Sequence, residues 1–556
     1  MARNSWTEKR PGVMEMNDKN PRKHSLSRRE LLRGGLGLAG AAAIAPRRLS
    51  ARGQAGSGSA GPADLETDVL VVGLGAAGAS AGIAARNAGA RVTILEAAPR
   101  GGGTSRLSAG EIYLGGGTPL QKSLGFEDTS EDMIRYLAAA SGDGADAQKI
   151  RLYCDHSLEH YDWLIAQGVR FKSEFYPEHH DSPGDQGLRW AASEQTHPFR
   201  GIARPVPRSH KMQHPGMAGG ALMDTLIARC RKLGAHILTN TRCDALLTEG
   251  EGSGARVVGA VARGPDGEMR IRARGGVILA TGGFISNPEM LELYAPMLRD
   301  CSPLSAGGDD GSGIRMGIGL GAAAIHMDAG FVGLALHPPE EIIRGILIDP
   351  RGQRFINEDA YLGRVGEYAR WRGDGDVILI LDASIPASPV LGENEWVAAA
   401  KDAEELQALL ERPALARTLA DYNAHAKRGE DPLFGKRPEF LSPLEAPPLR
   451  AYRYRVGESF WPAFTLGGLW TGLKGEVRRV DGETIPGLYA VGRTASGIPA
   501  RAYNTGTSLG DASFFGRRAG EEAAARATLL PSPSRARGTS APEPTTDRSR
   551  KSPRPA

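Results

Sequence analysis

Asp68-Val69-Leu70-Val71-Val72 is a short apolar run rich in β-branched side chains, the pattern of a buried parallel strand. Gly73-Leu74-Gly75-Ala76-Ala77-Gly78 follows at once, and Ala79 to Ala88 is then small and helix-favouring. A second strand over Arg91 to Leu95 ends in Glu96. Strand, GxGxxG, helix, strand and an acid about 20 residues on is the order of a βαβ unit that binds a dinucleotide. Gly73 makes the tight turn, Gly75 removes the Cβ where a pyrophosphate would approach, and Gly78 lets the helix pack close to the strand. The helix start at Ala76 and Ala77 offers unpaired amides and a partial positive charge to phosphates. Glu96 can accept hydrogen bonds from ribose hydroxyls. A glycine-rich turn in another kind of α/β protein would not need that acid.

Further glycine loops point to FAD rather than NAD. Pro99-Arg100-Gly101-Gly102-Gly103-Thr104-Ser105 is a second loop, continued by Ser108-Ala109-Gly110. Residues 236–280 read as a strand meander that closes on Ala280-Thr281-Gly282-Gly283. Near the C-terminus stands Gly487-Leu488-Tyr489-Ala490-Val491-Gly492-Arg493. A glycine loop after each strand lets backbone approach an extended cofactor.

A length of 556 residues predicts two folded domains plus tails. The net charge of +4 misleads about partners. Residues 1–63 hold twelve Lys/Arg against four Asp/Glu and residues 529–556 six against two, which leaves the stretch between them at about −8. The basic balance belongs to the ends, and no nucleic-acid partner is expected. Cys154, Cys230, Cys243 and Cys301 show no CxxC spacing, which argues against a zinc site, a dithiol or an attached haem. They read as isolated thiols, and no metal is expected.

Ser25 to Arg33 with the Arg28-Arg29 pair, the weakly apolar Gly34 to Ala45, and Ala43-Ile44-Ala45 before Pro46 resemble a twin-arginine export signal. That signal implies the Tat machinery as a partner and a periplasmic or exported location. The pathway carries folded proteins, so FAD can be loaded before export and the cysteines need not pair. Residues 51–63 read as a linker, and 531–556, rich in Pro, Ser, Thr and Arg, as a disordered tail.

Over about residues 64–525 the segments are similar, in order, to the fumarate reductase/succinate dehydrogenase flavoprotein superfamily. The motifs are the loop at 73–78, Gly102-Gly103-Thr104-Ser105, Ala280-Thr281-Gly282-Gly283, Asp310-Gly311-Ser312-Gly313, Arg354-Phe355-Ile356-Asn357-Glu358, and Gly506-Thr507-Ser508-Leu509-Gly510-Asp511-Ala512 leading into Phe515-Gly516-Arg517. The resemblance implies an α/β fold, a Rossmann-like FAD domain of glutathione-reductase type interrupted by an α+β catalytic or capping domain. The FAD domain would comprise 64–283 and 461–528, with the insertion at 284–460. Thr104-Ser105-Arg106 stands where relatives with tethered flavin carry a histidine, so the FAD should be non-covalent. Ser508 and Leu509 would meet the flavin ring, with their helix start stabilising the reduced anion.

The active-site pattern departs from fumarate reductases, which hold a dicarboxylate with arginines and histidines. Phe464-Thr465-Leu466-Gly467-Gly468 lacks the expected histidine, the substrate arginine falls on Tyr503, and the proton-delivering arginine falls near Tyr361, with Arg364 close by. Two tyrosines in place of two cations suit an uncharged ketone. Tyr503-Asn504-Thr505-Gly506 and Tyr361 are similar to 3-oxosteroid (3-ketosteroid) dehydrogenases, the 4-ene-forming type above all, though 1-dehydrogenases share the C-terminal tyrosine. The expected chemistry is desaturation beside a carbonyl. FAD takes a hydride, Tyr503 takes the α proton with Thr505 relaying it, and Tyr361 donates to the carbonyl, with the tyrosine roles open to exchange. The electron acceptor is not legible.

Arg204, Arg208, His210 and Lys211 read as a solvated basic loop, Asp309-Asp310 as a helix cap, and His179, His180, His326 and His337 as bystanders. Trp461 and Phe464 fit a pocket wall or the core equally. One competing reading is a reductase of an α,β-unsaturated acid, with Arg364 and Arg501 as its cations. The other is a flavin-binding protein with no substrate of its own.

Overall fold

The structure is a computed structural model describing residues 63–530 except 179–181, 192, 251, 335, 337 and 391–393. The export signal, nearly all of the linker, the tail, His179, His180 and His337 lie outside the described residues.

A parallel sheet forms the centre. Its strands run in the order His236–Leu238, Val92–Leu95, Leu65–Val72, Gly267–Leu279, Thr484–Ala490, with Glu476–Arg478 antiparallel at the edge. The hairpin Arg242–Glu249 and Arg256–Gly264 extends the long strand. Alternation along the first strand divides two cores. Val69 and Val71 pack on one side with the helix Ala76–Asn87, while Leu70 and Val72 pack on the other with Val277 and Leu279. The C-terminal helix Thr507–Leu529 packs on Ala76–Asn87 without a Cβ between them, because Gly516 and Gly520 face the backbone of Ala77 and Ala81.

The register brings every strand to the same edge. Val72 pairs with Leu95 and Leu279, Leu95 with Leu238, and Leu279 with Ala490. The loops at 73–78, 96, 280–283 and 491–493 therefore open side by side, at the carboxyl ends of the strands where such sheets bind ligands.

Two smaller bodies carry sheets of their own. Residues 111–211 supply a four-stranded sheet ordered Glu111–Tyr113, Ser209–Lys211, Gln186–Arg189, Lys172–Tyr176. Residues 346–455 supply an antiparallel one ordered Ile346–Ile348, Asp376–Leu381, Leu449–Arg455, Glu395–Ala400, flanked by the helices Leu362–Arg372, Ala403–Leu410 and Leu415–Ala426.

One expectation is overturned. The basic run is not a solvated loop: His210 and Lys211 are buried on the strand Ser209–Lys211, Arg208 is buried immediately before it, and only Arg204 is exposed. Arg208 is buried against Asp128 at 2.6 Å, and His210 bonds Thr118 at 2.8 Å. A buried cation needs such a partner. The four cysteines are free thiols, three of them buried. Among the described residues no helix is long and apolar enough to cross a membrane, and no cluster has the makings of a metal site.

Candidate active site

The first loop is closed toward the protein and open away from it. Gly73 has φ +102°, and a Cβ there would lie 2.4 Å from the Ala280 carbonyl oxygen. A Cβ on Gly78 would lie 1.9 Å from the Gly73 oxygen. On Gly75 the nearest atoms would be Ser105 Oγ at 3.6 Å and Gly102 O at 3.9 Å, so a Cβ there makes ordinary contacts and clashes with nothing in the protein. The helix Ala76–Asn87 starts with no side-chain cap and no acid in its first turn, and Ser105 Oγ accepts the Ala76 amide at 3.2 Å. An extended cofactor with phosphates fits this cradle.

Glu96 holds the loop together. It accepts the Leu74 amide at 3.0 Å and the Ala98 amide at 2.8 Å. Burial raises its carboxyl above the ordinary value, and the two amides only partly offset this. Gly102 donates its amide to Leu74 O at 2.8 Å, Gly103 is surrounded by open space, and Gly110 packs on Ala218. Ser108 turns its hydroxyl to Ser105 O at 2.8 Å. Thr281 and Thr494 hydroxyls pair at 3.2 Å, and Gly492, at φ +58°, lies against Ala77.

Asp309 is a junction that its sequence context does not reveal. Its carboxylate accepts from Thr104 Oγ1 (2.5 Å), Ser305 Oγ (2.6 Å), the Gly283 amide (3.0 Å) and Arg493 Nη2 (3.0 Å). It ties together three glycine loops and the segment after residue 300. The expected helix cap is therefore half right. Asp310 accepts the Ser312 amide at 2.9 Å at the start of the helix Ser312–Gly319, while Asp309 is used elsewhere because Gly282 leaves no Cβ in its way.

Beyond these loops Tyr361, Tyr503, Phe331 and Phe464 form a separate aromatic cluster with Ala329 and Leu466. Phe464 lies on the strand Pro462–Thr465, directly opposite Phe331 on Gly330–Val332, and the rings stack at 4.7 Å. Phe464 meets Tyr503 edge-on at 5.0 Å, and the two tyrosine rings are 6.4 Å apart. Arg493 lies over the Phe464 ring at 5.2 Å. Trp461, by contrast, is fully buried in the main core.

Tyr361 immediately precedes the helix Leu362–Arg372, on a turn anchored by buried charges. Glu358 pairs with Arg354 at 2.9 Å and Lys436 at 3.2 Å, and Asp359 with Arg437 at 2.9 Å. Burial alone would raise the Glu358 carboxyl, but Arg354 and Lys436 hold it below its ordinary value. The ion pairs of Glu358 and Asp359 thus anchor the turn that carries Tyr361.

Tyr503 is half-buried ahead of the C-terminal helix, whose start at Gly506 carries no side-chain cap. Burial raises the Tyr503 hydroxyl above its ordinary value, while hydrogen bonds from the Ser508 side chain and backbone and the charge of Arg493 pull it back. Leu509, next to Ser508 in the chain, is buried. The Thr505 hydroxyl donates to Tyr361 Oη at 3.0 Å, so its hydrogen bond goes to the tyrosine other than the one it was expected to serve. The turn explains this: Thr507 donates its amide to Asn504 O, Asn504 accepts from Tyr136 Oη at 2.6 Å, and left-handed Gly506 ends the run, which aims Thr505 across the cleft.

The cations required for a dicarboxylate do not converge here. Arg501 is paired with Asp328 at 2.5 Å in an exposed bridge. Arg364 lies over Phe199 and Tyr368, away from the tyrosine pair's ring contacts. His326 bonds Ser496 at 2.8 Å.

Residues 68–509 match the FAD binding domain family. The 3-ketosteroid-Δ4-(5α)-dehydrogenase of Rhodococcus jostii RHA1, solved with 4-androstene-3,17-dione, is 42% identical with a TM-score of 0.79, over 84% of this chain and 98% of that one. The probable fumarate reductase Ifc3 of Shewanella frigidimarina is 28% identical over 84% of this chain and 76% of its own. The 3-oxo-5-alpha-steroid 4-dehydrogenase of Comamonas testosteroni is 26% identical over 77% and 92%. With its glycine cradle and family match in agreement, the chain is an FAD-dependent oxidoreductase that belongs to the FAD binding domain family, alongside fumarate reductases and 3-oxosteroid dehydrogenases.

Proposed function

We propose that the protein desaturates a 3-oxosteroid-like cyclic ketone next to its carbonyl. The observation that carries this reading is the aromatic cluster itself: tyrosines and phenylalanines stand where a dicarboxylate would need cations. The 42% identical dehydrogenase supports the same substrate class.

Bound FAD supplies the oxidant that accepts a hydride from the carbon β to the carbonyl. Tyr503 is the base for the α proton: burial raises its hydroxyl above the ordinary value, and the Ser508 hydrogen bonds and the charge of Arg493 offset part of that rise. Thr505 donates to Tyr361, which makes the Tyr361 hydroxyl a stronger donor toward the ketone oxygen, where enolate charge develops. Phe331 and Phe464 present flat apolar faces to a ring system and exclude water. The cofactor is held without a covalent bond by the loops at 73–78, 102–110, 281–282 and 492 and by Ser508 and Leu509.

In the same reading residues 64–283 and 461–528 make a glutathione-reductase-type FAD domain, and 284–460 the catalytic or capping domain. The chain is exported to the periplasm by the twin-arginine route. Anaerobic addition of a saturated 3-oxosteroid should bleach the flavin, and Tyr503→Phe should slow that step by about 10²–10⁴-fold. Full-rate bleaching by the variant would refute the assignment.

A further inference from the structure

The segments that carry Tyr361 and Thr505 lie far apart in the chain, yet both rest on one aromatic pair of the 111–211 body, Tyr136 and Phe199. Tyr136 lies on the helix Ser130–Ala140 and is fully buried. Its ring stacks on Tyr113 at 5.9 Å and meets Phe199 edge-on at 5.6 Å. The Arg208 guanidinium, itself fixed by Asp128, lies over it at 5.8 Å. Three such contacts fix the orientation of the ring. Burial raises the Tyr136 hydroxyl well above its ordinary value, so the proton stays on and the group remains a donor.

That donor goes to Asn504: Tyr136 Oη bonds Asn504 Oδ1 at 2.6 Å. Asn504 is buried, and its Nδ2 donates to Thr505 O at 3.1 Å, so one side-chain amide links the phenol to the backbone of Thr505. A swing of Asn504 would turn that carbonyl, and with it the hydroxyl that reaches Tyr361 Oη at 3.0 Å. Tyr503 depends less on this amide, because its ring packs edge-on against Phe331 at 5.3 Å and Phe464 at 5.0 Å.

On the opposite side, Arg364 stands in the first turn of the helix Leu362–Arg372, and the Val365 amide closes that turn on Tyr361 O at 2.9 Å. Arg364 lies beside a cavity of about 440 Å³ that Arg354, Asn357 and Phe434 also line. With open space on that side, its guanidinium rests on Phe199 at 5.2 Å and Tyr368 at 5.0 Å. Tyr368 belongs to the same helix, whereas Phe199 ties the helix start to the 111–211 body.

We propose that Tyr136 and Arg364 are positioning residues: through Asn504 and Phe199 they set the spacing between the Thr505 hydroxyl and Tyr361, and so the strength of the donor that meets the ketone oxygen. Neither touches the substrate or takes part in proton or hydride transfer. This rests on the ketone-desaturase reading and gives Arg364 a task within it.

The test is anaerobic reduction of the flavin by a saturated 3-oxosteroid on the FAD-loaded protein. Tyr136→Phe keeps the ring and removes the donor. Its limiting rate should fall about tenfold, with the substrate concentration for half-maximal rate unchanged. Arg364→Gln should lower the limiting rate about threefold in the same manner. In a Thr505→Val background, where the hydroxyl to be placed is gone, each substitution should slow the step by less than about twofold more. Damage unrelated to the spacing would instead multiply with the Thr505 effect. Flavin content and melting temperature report folding, and if Tyr136→Phe does not fold, Arg364→Gln with and without Thr505→Val decides. A folded variant with the wild-type limiting rate, or a loss that multiplies in the Thr505→Val background, would overturn the inference and leave the desaturase reading intact. A wild-type flavin that no 3-oxosteroid bleaches would overturn that reading and this inference together.

Discussion

At the scale of single residues, function depends on two hydroxyls with different neighbours. Tyr503 is raised by burial, so it rests as a phenol and acts as a base only through its phenolate fraction. The phenolate fraction grows tenfold per pH unit below the pKa. kcat/KM for flavin reduction should therefore climb about tenfold per unit from neutral pH to beyond about 10. A plateau at neutral pH would contradict Tyr503 as the base. Thr505→Val removes the donor to Tyr361 without touching Tyr503. It should slow reduction by about tenfold while leaving the slope of the pH profile unchanged. Both tyrosines could be found from the chain because they interrupt familiar motifs. Thr505's partner could not, since a turn of four residues decides which way its hydroxyl points.

At the scale of elements, the glycine loops divide into structural and ligand-facing positions. Gly78→Ala would drive a methyl into the Gly73 carbonyl and should lower both melting temperature and FAD content. Gly75→Ala makes only ordinary contacts with Ser105 and Gly102, so it should fold normally and lose FAD affinity. Dialysis followed by absorbance of retained flavin separates the two cases. The strand-loop-helix unit was fully legible, because its glycines follow local geometry. Phe331 was not, because its importance comes from facing Phe464 across a strand pair with more than a hundred residues between them. Asp309 was misread for the same reason. Three of its four partners, Thr104, Gly283 and Arg493, come from other glycine loops, and a short acidic pair before a helix resembles a cap whatever its actual use.

At the scale of the molecule, buried ion pairs fix the turn of Tyr361 to the rest of the 346–455 body. Breaking such a pair costs about 3–5 kcal/mol, so Glu358→Gln should lower the melting temperature markedly. Glu358 is held below its ordinary value. Its contribution is complete above the unfolded carboxyl value of roughly 4.3 and is lost as pH falls through the depressed folded value. The acid limb of the wild-type stability curve should therefore flatten in the variant. The α/β class and the strand segments that carry the glycine loops followed from the sequence, while the order of the strands in the sheet did not. The cavity beside Arg364 did not, since it depends on Arg364 lying over Phe199 and Arg354 over Phe434. The central claim is that this FAD enzyme oxidises a ketone rather than reducing an unsaturated acid. Anaerobic mixing with a saturated 3-oxosteroid tests it most directly. The account predicts complete bleaching of the flavin by the wild type and almost none by Tyr503→Phe on the same timescale. Flavin that every 3-oxosteroid leaves oxidised, but that fumarate reoxidises once reduced, would contradict it.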